Sequence, residues 1–156
     1  MRRLAAVLAA FLALATNAKA DSLEGAASVL SGDTIEVRGQ QIRLFGIDAP
    51  EPAQTCWDSA GQSWPCGQRA ALALANKLGG VIISCNGMRR DREGRLMAVC
   101  RSGDENLNAW LVSMGWALAY RSQSTAYVSA EEAAREAANG LWAGAFEPPW
   151  VWRTKH

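Results

Sequence analysis

The chain has 156 residues, 16 basic against 15 acidic side chains, five prolines and one histidine, His156, at its last position. That is room for one domain with a real core and not for two, and a near-neutral balance excludes a uniformly basic polyanion binder. With His156 alone and terminal, chemistry that needs a pair of histidines is excluded as well.

In chain order, Arg2-Arg3, the apolar run Leu4 to Ala15 and Ala18-Lys19-Ala20 match the three regions of a secretory signal, with cleavage expected after Ala20. The apolar run is too short for a membrane span. The mature chain is expected to be one domain, 21–156, secreted or periplasmic. The first twenty residues hold Arg2, Arg3 and Lys19 and no acid, so residues 21–156 carry 13 basic against 15 acidic side chains. A polyanionic partner would therefore have to meet a local basic patch. Arg89, Arg90, Arg92 and Arg95 form the one dense cluster, which otherwise reads as a solvated hairpin tip.

Gly25 to Leu30 reads as a first strand, followed by the break Ser31-Gly32-Asp33 and the alternating strands Thr34–Val37 and Gln41–Phe45. On the last of these, Ile42 and Leu44 face away from Arg43. Gly46 to Glu51 follows, so Asp33, Asp48, Glu51 and Arg43 all sit at strand ends or turns of one antiparallel unit. Acid oxygens beside a fixed guanidinium suit metal-assisted chemistry on a phosphate. Glu51 to Gly67 is a loop holding Trp57 and Trp64, which either stack on bases or lie buried beneath it.

Gln68 to Leu78 reads as a helix with the stripe Ala71, Leu74, Ala75 and Leu78, stopped by Gly79-Gly80. Val81 to Cys85 and Arg95 to Cys100 are strands flanking a polar connection, Asn86 to Gly94. Glu105 to Met114 is a second helix and Trp116 to Tyr120 a short strand. Ser129 and Glu132 read as a capping box opening a third helix, to about Asn139, with an alanine face. The tail from Leu141 is read as irregular and pinned by Trp142, Trp150 and Trp152. Three strands, a helix and two strands is the order of an OB-type barrel, so the fold class is α+β, a five-stranded barrel with three helices.

The four cysteines all lie in the exported part, which favours disulfides. Zinc is the rival, but no pair has CxxC spacing. Three pairings are possible. Cys85 and Cys100 flank the hairpin and Cys56 and Cys66 bracket a loop, so Cys56–Cys66 with Cys85–Cys100 is expected.

Ser31-Gly32-Asp33-Thr34, Arg43-Leu44, Asp48-Ala49-Pro50-Glu51 and Asp91-Arg92-Glu93-Gly94-Arg95 together resemble the thermonuclease family, typified by staphylococcal nuclease. Singly, each piece has an ordinary reading as a turn, a solvated strand residue or a hairpin cap. Four in register, over roughly Ala27 to Trp142, do not. The resemblance implies calcium-dependent cleavage of DNA and RNA phosphodiesters with the 5′ oxygen leaving. By position it implies Asp33, Asp48 and the Ala49 carbonyl as calcium ligands, with Thr34 supporting them. Glu51 would position or deprotonate the attacking water, and Arg43 and Arg95 would hold the phosphate. Arg92 and Tyr120 are the implied contacts to the rest of the substrate, expected to be single-stranded or frayed nucleic acid, and the protein is expected to be a monomer.

The sequence departs from the family where many relatives have an acid in place of Ser31, which implies weaker calcium binding. Arg92-Glu93 also lacks the aromatic that often precedes the second arginine. The alternative function is an OB module that binds nucleic acid or a protein without catalysis.

Overall fold

A computed structural model of the chain describes residues 22–156. The expected signal segment lies outside the described residues. The strands are β1 (Ser22–Ser31), β2 (Thr34–Val37), β3 (Gln40–Leu44), β4 (Ile47–Asp48), β5 (Cys56–Trp57) and β6 (Ser63–Trp64), followed by helix α1 (Cys66–Leu78). Then come β7 (Ile82–Arg90), β8 (Leu96–Ser102), β9 (Glu105–Asn106), α2 (Leu107–Ser113), β10 (Leu118–Ala119), α3 (Val128–Glu136), a 3₁₀ turn at Gly140–Ala143 and a short α4 (Pro149–Trp152).

The sheet runs β3-β2-β1-β7-β8-β9, and β3 also pairs with β8. That last pairing is parallel, with Ile42 opposite Leu96 and Leu44 opposite Ala98, and it closes five strands into a barrel. The fold is the expected OB-type barrel. Alternation decides which side chains fill it: Ile35, Val37, Ile42, Leu44, Ile83, Ala98 and Cys100 point inward and are almost wholly buried. The β2–β3 hairpin turns at Arg38 and Gly39, both at positive φ, the signature of a two-residue primed turn.

Local expectations shift where tertiary packing overrides them. β7 continues to Arg90, so most of the expected polar connection is strand, and the turn shrinks to Asp91–Gly94. β7 extends because Arg89 and Arg90 find ladder partners in Met97 and Leu96 beyond a bulge at Gly87/Arg89. The buried stripe of α1 is Ala70, Leu74 and Leu78 with Cys66 and Gly67, and Ala75 is exposed. α2 begins at Leu107 because the Asn106 side chain accepts from the Ala109 N–H as its cap. Met114, expected on its apolar stripe, lies beyond the helix and is exposed.

α3 starts at Val128, ahead of the expected cap, and Ser129 makes no capping bond there. Its buried face carries Ala134 and an acid, Glu131, while Ala133 and Ala137 are exposed. Glu131 is tolerated because its two oxygens accept from the Ala119 N–H at 2.9 Å and from Arg121 at 2.6 Å. The tail is more regular than expected, forming the 3₁₀ turn and α4. Trp57 is 45% exposed, so only Trp64 of the loop pair packs inward, edge-on to Trp116.

Two disulfides join Cys56 to Cys66 and Cys85 to Cys100. The first fastens the loop after the barrel to the start of α1, and the second crosses the β7–β8 ladder. Both suit an extracellular or periplasmic environment. Among the described residues no helix is long and apolar enough to cross a membrane.

Candidate active site

Arg43 is the hub. It lies on the outward face of β3, between the inward-pointing Ile42 and Leu44, and its Nη2 reaches Asp48 Oδ1 at 2.6 Å and Asp33 Oδ2 at 3.1 Å. Both acids are buried, Asp48 completely. They converge because Asp33 ends the β1–β2 turn while Asp48 ends β4, which is held by its pairing with β10.

Asp33 is held from three further directions. Its Oδ1 accepts from the Ser31 and Thr34 hydroxyls at 3.1 and 3.2 Å, and its Oδ2 from the Ala49 N–H at 2.8 Å. Thr34 therefore supports Asp33 directly. Burial pushes the Asp48 carboxyl above the usual carboxylate range. The Arg153 hydrogen bond opposes that rise, the Asp33 charge adds to it, and the Arg43 charge opposes it. The two buried carboxylates meet at one guanidinium nitrogen, and their hard oxygens are of the kind that calcium takes. Among the described residues no three acids, histidines or cysteines gather as a metal cluster, so a backbone oxygen such as that of Ala49 would have to complete the set.

Glu51 follows in the next loop. Its N–H donates to Gln54 Oε1 at 3.2 Å, and the Gln54 amide donates to the Glu147 carbonyl at 2.7 Å. Gln54 is 1% exposed and ties the Glu51 loop to the C-terminal segment. A second restraint is steric: a Cβ on Gly67 would lie 1.7 Å from the Glu51 carbonyl oxygen, so α1 packs directly on the backbone of Glu51.

Arg95 comes from the β7–β8 hairpin. Its Nε donates to Asp91 Oδ2 at 2.7 Å, its Nη2 lies 3.3 Å from Glu93, and its own N–H donates to Asp91 Oδ1. Burial would raise the Asp91 carboxyl, but hydrogen bonds from Arg95 and Glu93 and the Arg95 charge outweigh it and hold Asp91 below its usual value. A depressed acid stabilises the fold above its unfolded pKa of about 3.9, and that contribution is lost as pH falls through the folded value. Asp91→Asn should therefore lower stability at neutral pH by up to about 1 kcal/mol, and the deficit should close as the pH falls below about 4. Thermal melts of both proteins from pH 7 to 3 check this; a deficit that persists at pH 3 would refute it.

Arg43, Glu51, Arg92, Arg95 and Tyr120 all line one cleft of about 880 Å³, together with Arg89, Arg90 and Arg153. Five of the residues singled out in the sequence thus share this cleft, while Asp33, Thr34, Asp48 and Ala49 do not line it. The cleft also gathers positive charge that residues 22–156 lack overall. Tyr120 is set by its N–H bond to the Gly46 carbonyl, and its ring lies 5.6 Å from that of Trp150. Arg89 lies over the Phe45 ring, while Arg90 donates to Gln40 and to the Gly94 carbonyl.

Sequence reasoning missed Arg153. Its guanidinium forms a fork to both oxygens of Asp48, at 3.0 and 2.8 Å, and reaches Glu51 Oε1 at 2.6 Å. The Asp48 bond raises its already high pKa, against burial, and the Glu51 bond adds to the rise, so it is a permanent cation. The one available signal was a basic residue just past the tryptophans of the tail.

Residues 41–144 match the family model described as staphylococcal nuclease homologue. The chain is 36% identical over 144 residues to succinoglycan biosynthesis protein ExoI of Rhizobium meliloti, covering 90% of this chain and 75% of that one. It is 32% identical over 171 residues to protein ParB of Escherichia coli, covering 98% and 90%. It is 31% identical over 168 residues to micrococcal nuclease of Shigella flexneri, covering 96% and 90%. With two thirds of its length inside that model, the chain belongs to the staphylococcal nuclease homologue family.

Proposed function

We propose that the protein is a calcium-dependent endonuclease that hydrolyses phosphodiester bonds of DNA and RNA, acting as a monomer outside the cytoplasm. The observation that carries this reading is that Arg43, which lines an arginine-rich cleft together with Glu51, is also the shared partner of the buried Asp33 and Asp48. Nuclease relatives of the same family support it.

Asp33, Asp48 and the Ala49 carbonyl would hold calcium, which when bound supplies positive charge at the phosphate and orients water. Glu51 accepts the proton of the attacking water. Arg43 and Arg95 donate paired hydrogen bonds to the non-bridging oxygens, where negative charge builds in the transition state. Asp91 and Glu93 fix the Arg95 fork in advance, so little reorganisation is needed when the charge develops. Tyr120 and Arg92 contact the substrate away from the scissile bond, and the strand is preferably single or frayed because a base must be free to reach an aromatic face.

The test is incubation of purified protein with single-stranded DNA or RNA in calcium and in chelator. Calcium-dependent fragments select the enzyme; a gel shift without cleavage selects a binding module instead. Glu51→Gln should lower turnover by about 10²–10⁴-fold with its melting temperature within a few degrees of wild type, because the proton acceptor is lost while the amide oxygen can still accept from Arg153. Full activity in folded Glu51→Gln would remove Glu51 from the mechanism.

Ser31 donates to Asp33 rather than adding a charge of its own. Ser31→Asp should therefore lower the calcium concentration at half-maximal activity, by several-fold on the scale of one exposed charge interaction. An unchanged midpoint would show that this position does not tune the metal.

A further inference from the structure

Resting on the nuclease reading above, the strongest unassigned feature is the contact between the C-terminal segment and the two acids. Glu51 accepts the Arg153 Nη1 at 2.6 Å, so an oxygen that would take a proton from water is already occupied by a cation. Asp48 is occupied more fully. Its Oδ1 accepts from Arg43 and Arg153 and its Oδ2 from Arg153. A divalent cation that binds Asp48 has to take these same oxygens, and a carboxylate held by a bidentate guanidinium has few lone pairs left to give.

The segment that presents Arg153 is itself anchored. Pro149 is buried, Trp150 lies against Tyr120, and Gln54 donates to the Glu147 carbonyl just before it. Pro148 accepts from the N–H groups of Val151 and Trp152, and Pro149 from that of Arg153, so the last anchored turn aims the arginine at the acids. Beyond Trp150, the Trp152 ring stacks on that of His156, and Lys155 pairs with the half-buried Glu147.

We propose that Arg153 is a positioning residue that competes with the divalent cation for Asp48 and Glu51. The seated arginine and the bound cation exclude one another, and cation binding frees Glu51 to act as the base. The exchange replaces a tethered single charge with a double one, so the three carboxylates and Arg43 pass from one net negative charge to none.

The test combines calorimetric titration of calcium with ¹⁹F NMR of 5-fluorotryptophan-labelled protein, the Trp150 and Trp152 signals being assigned by Trp→Phe variants. Arg153→Gln should bind calcium more tightly by on the order of tenfold, the scale of a lost charged hydrogen bond. Arg153→Lys, which keeps the charge without the fork, should fall between it and wild type. Calcium should shift the Trp152 signal of wild type, and Arg153→Gln should show that shifted signal before calcium is added. Melting curves establish that each variant is folded. Equal calcium affinity in wild type and folded Arg153→Gln, or a Trp152 signal indifferent to calcium, would overturn the proposal. If neither protein binds calcium yet DNA is still cut, the competition is overturned while the nuclease reading stands without its metal. If there is neither calcium binding nor cleavage, the nuclease reading itself fails.

Discussion

Arg43→Ala should lose both activity and stability, and the two losses have different causes. Removing a donor to the charge that builds on the phosphate should cost about 10²–10³-fold in turnover. The same substitution leaves Asp33 and Asp48 buried side by side without their shared guanidinium. Breaking a buried pair in this way costs about 3–5 kcal/mol. The low end applies here, because Asp33 keeps three hydrogen-bond donors and Asp48 keeps Arg153. A fall in Tm on the order of 10 °C follows for a domain of this size. Calcium should restore part of it, since a divalent ion on the same two carboxylates replaces the missing charge. Because both its partners are buried, Arg43 is tied to stability as well as to catalysis. Differential scanning with and without calcium is the measurement. An unchanged Tm in chelator would show that the two acids do not depend on Arg43.

Gly67→Ala is the second large effect, and it involves no charge. A Cβ at that position would sit 1.7 Å from the Glu51 carbonyl oxygen and 3.0 Å from the Pro52 Cα. Neither is the end of a flexible side chain, so backbone must move by more than an ångström. α1 cannot yield easily, because Cys66 at its first turn is bonded to Cys56 and Gly32 is wedged against Ala70. The displacement therefore falls on Glu51 and Pro52. Misplacing a reacting group by about 1 Å can cost roughly 10²-fold in rate. We expect kcat to fall by at least that factor, with KM for DNA changed far less because the arginines that bind phosphate stay in place. Wild-type kcat in folded Gly67→Ala would refute the steric coupling between α1 and Glu51.

Much of the barrel was legible because its rules are local. The alternation of Ile35 and Val37, and of Ile42 and Leu44 around Arg43, fixes which face of each strand is buried. The expected pairing of Cys85 with Cys100 is legible for the same reason, since they lie directly opposite in the β7–β8 register. Helix boundaries were less so. Ser129 and Glu132 have the spacing of a capping box, yet α3 begins at Val128, and its buried Glu131 is accommodated by Ala119 and Arg121, which a helical wheel does not show.

The sequence by itself determined the strand order, the disulfide pairing, and the clustering of Asp33, Arg43, Asp48 and Glu51 around one hairpin. These depend on residues near one another in the chain, whose geometry follows from the period of the strand and the shape of the turn. Only the tertiary structure decided that Arg43 is a shared counter-charge for two buried acids, that Gly67 is the floor beneath Glu51, and that Arg153 reaches back more than a hundred residues to hold Asp48 and Glu51. Such contacts depend on closure of β3 against β8 and on the path of the tail across the barrel, and no periodicity along the chain encodes the distance between elements that meet only after the core has formed.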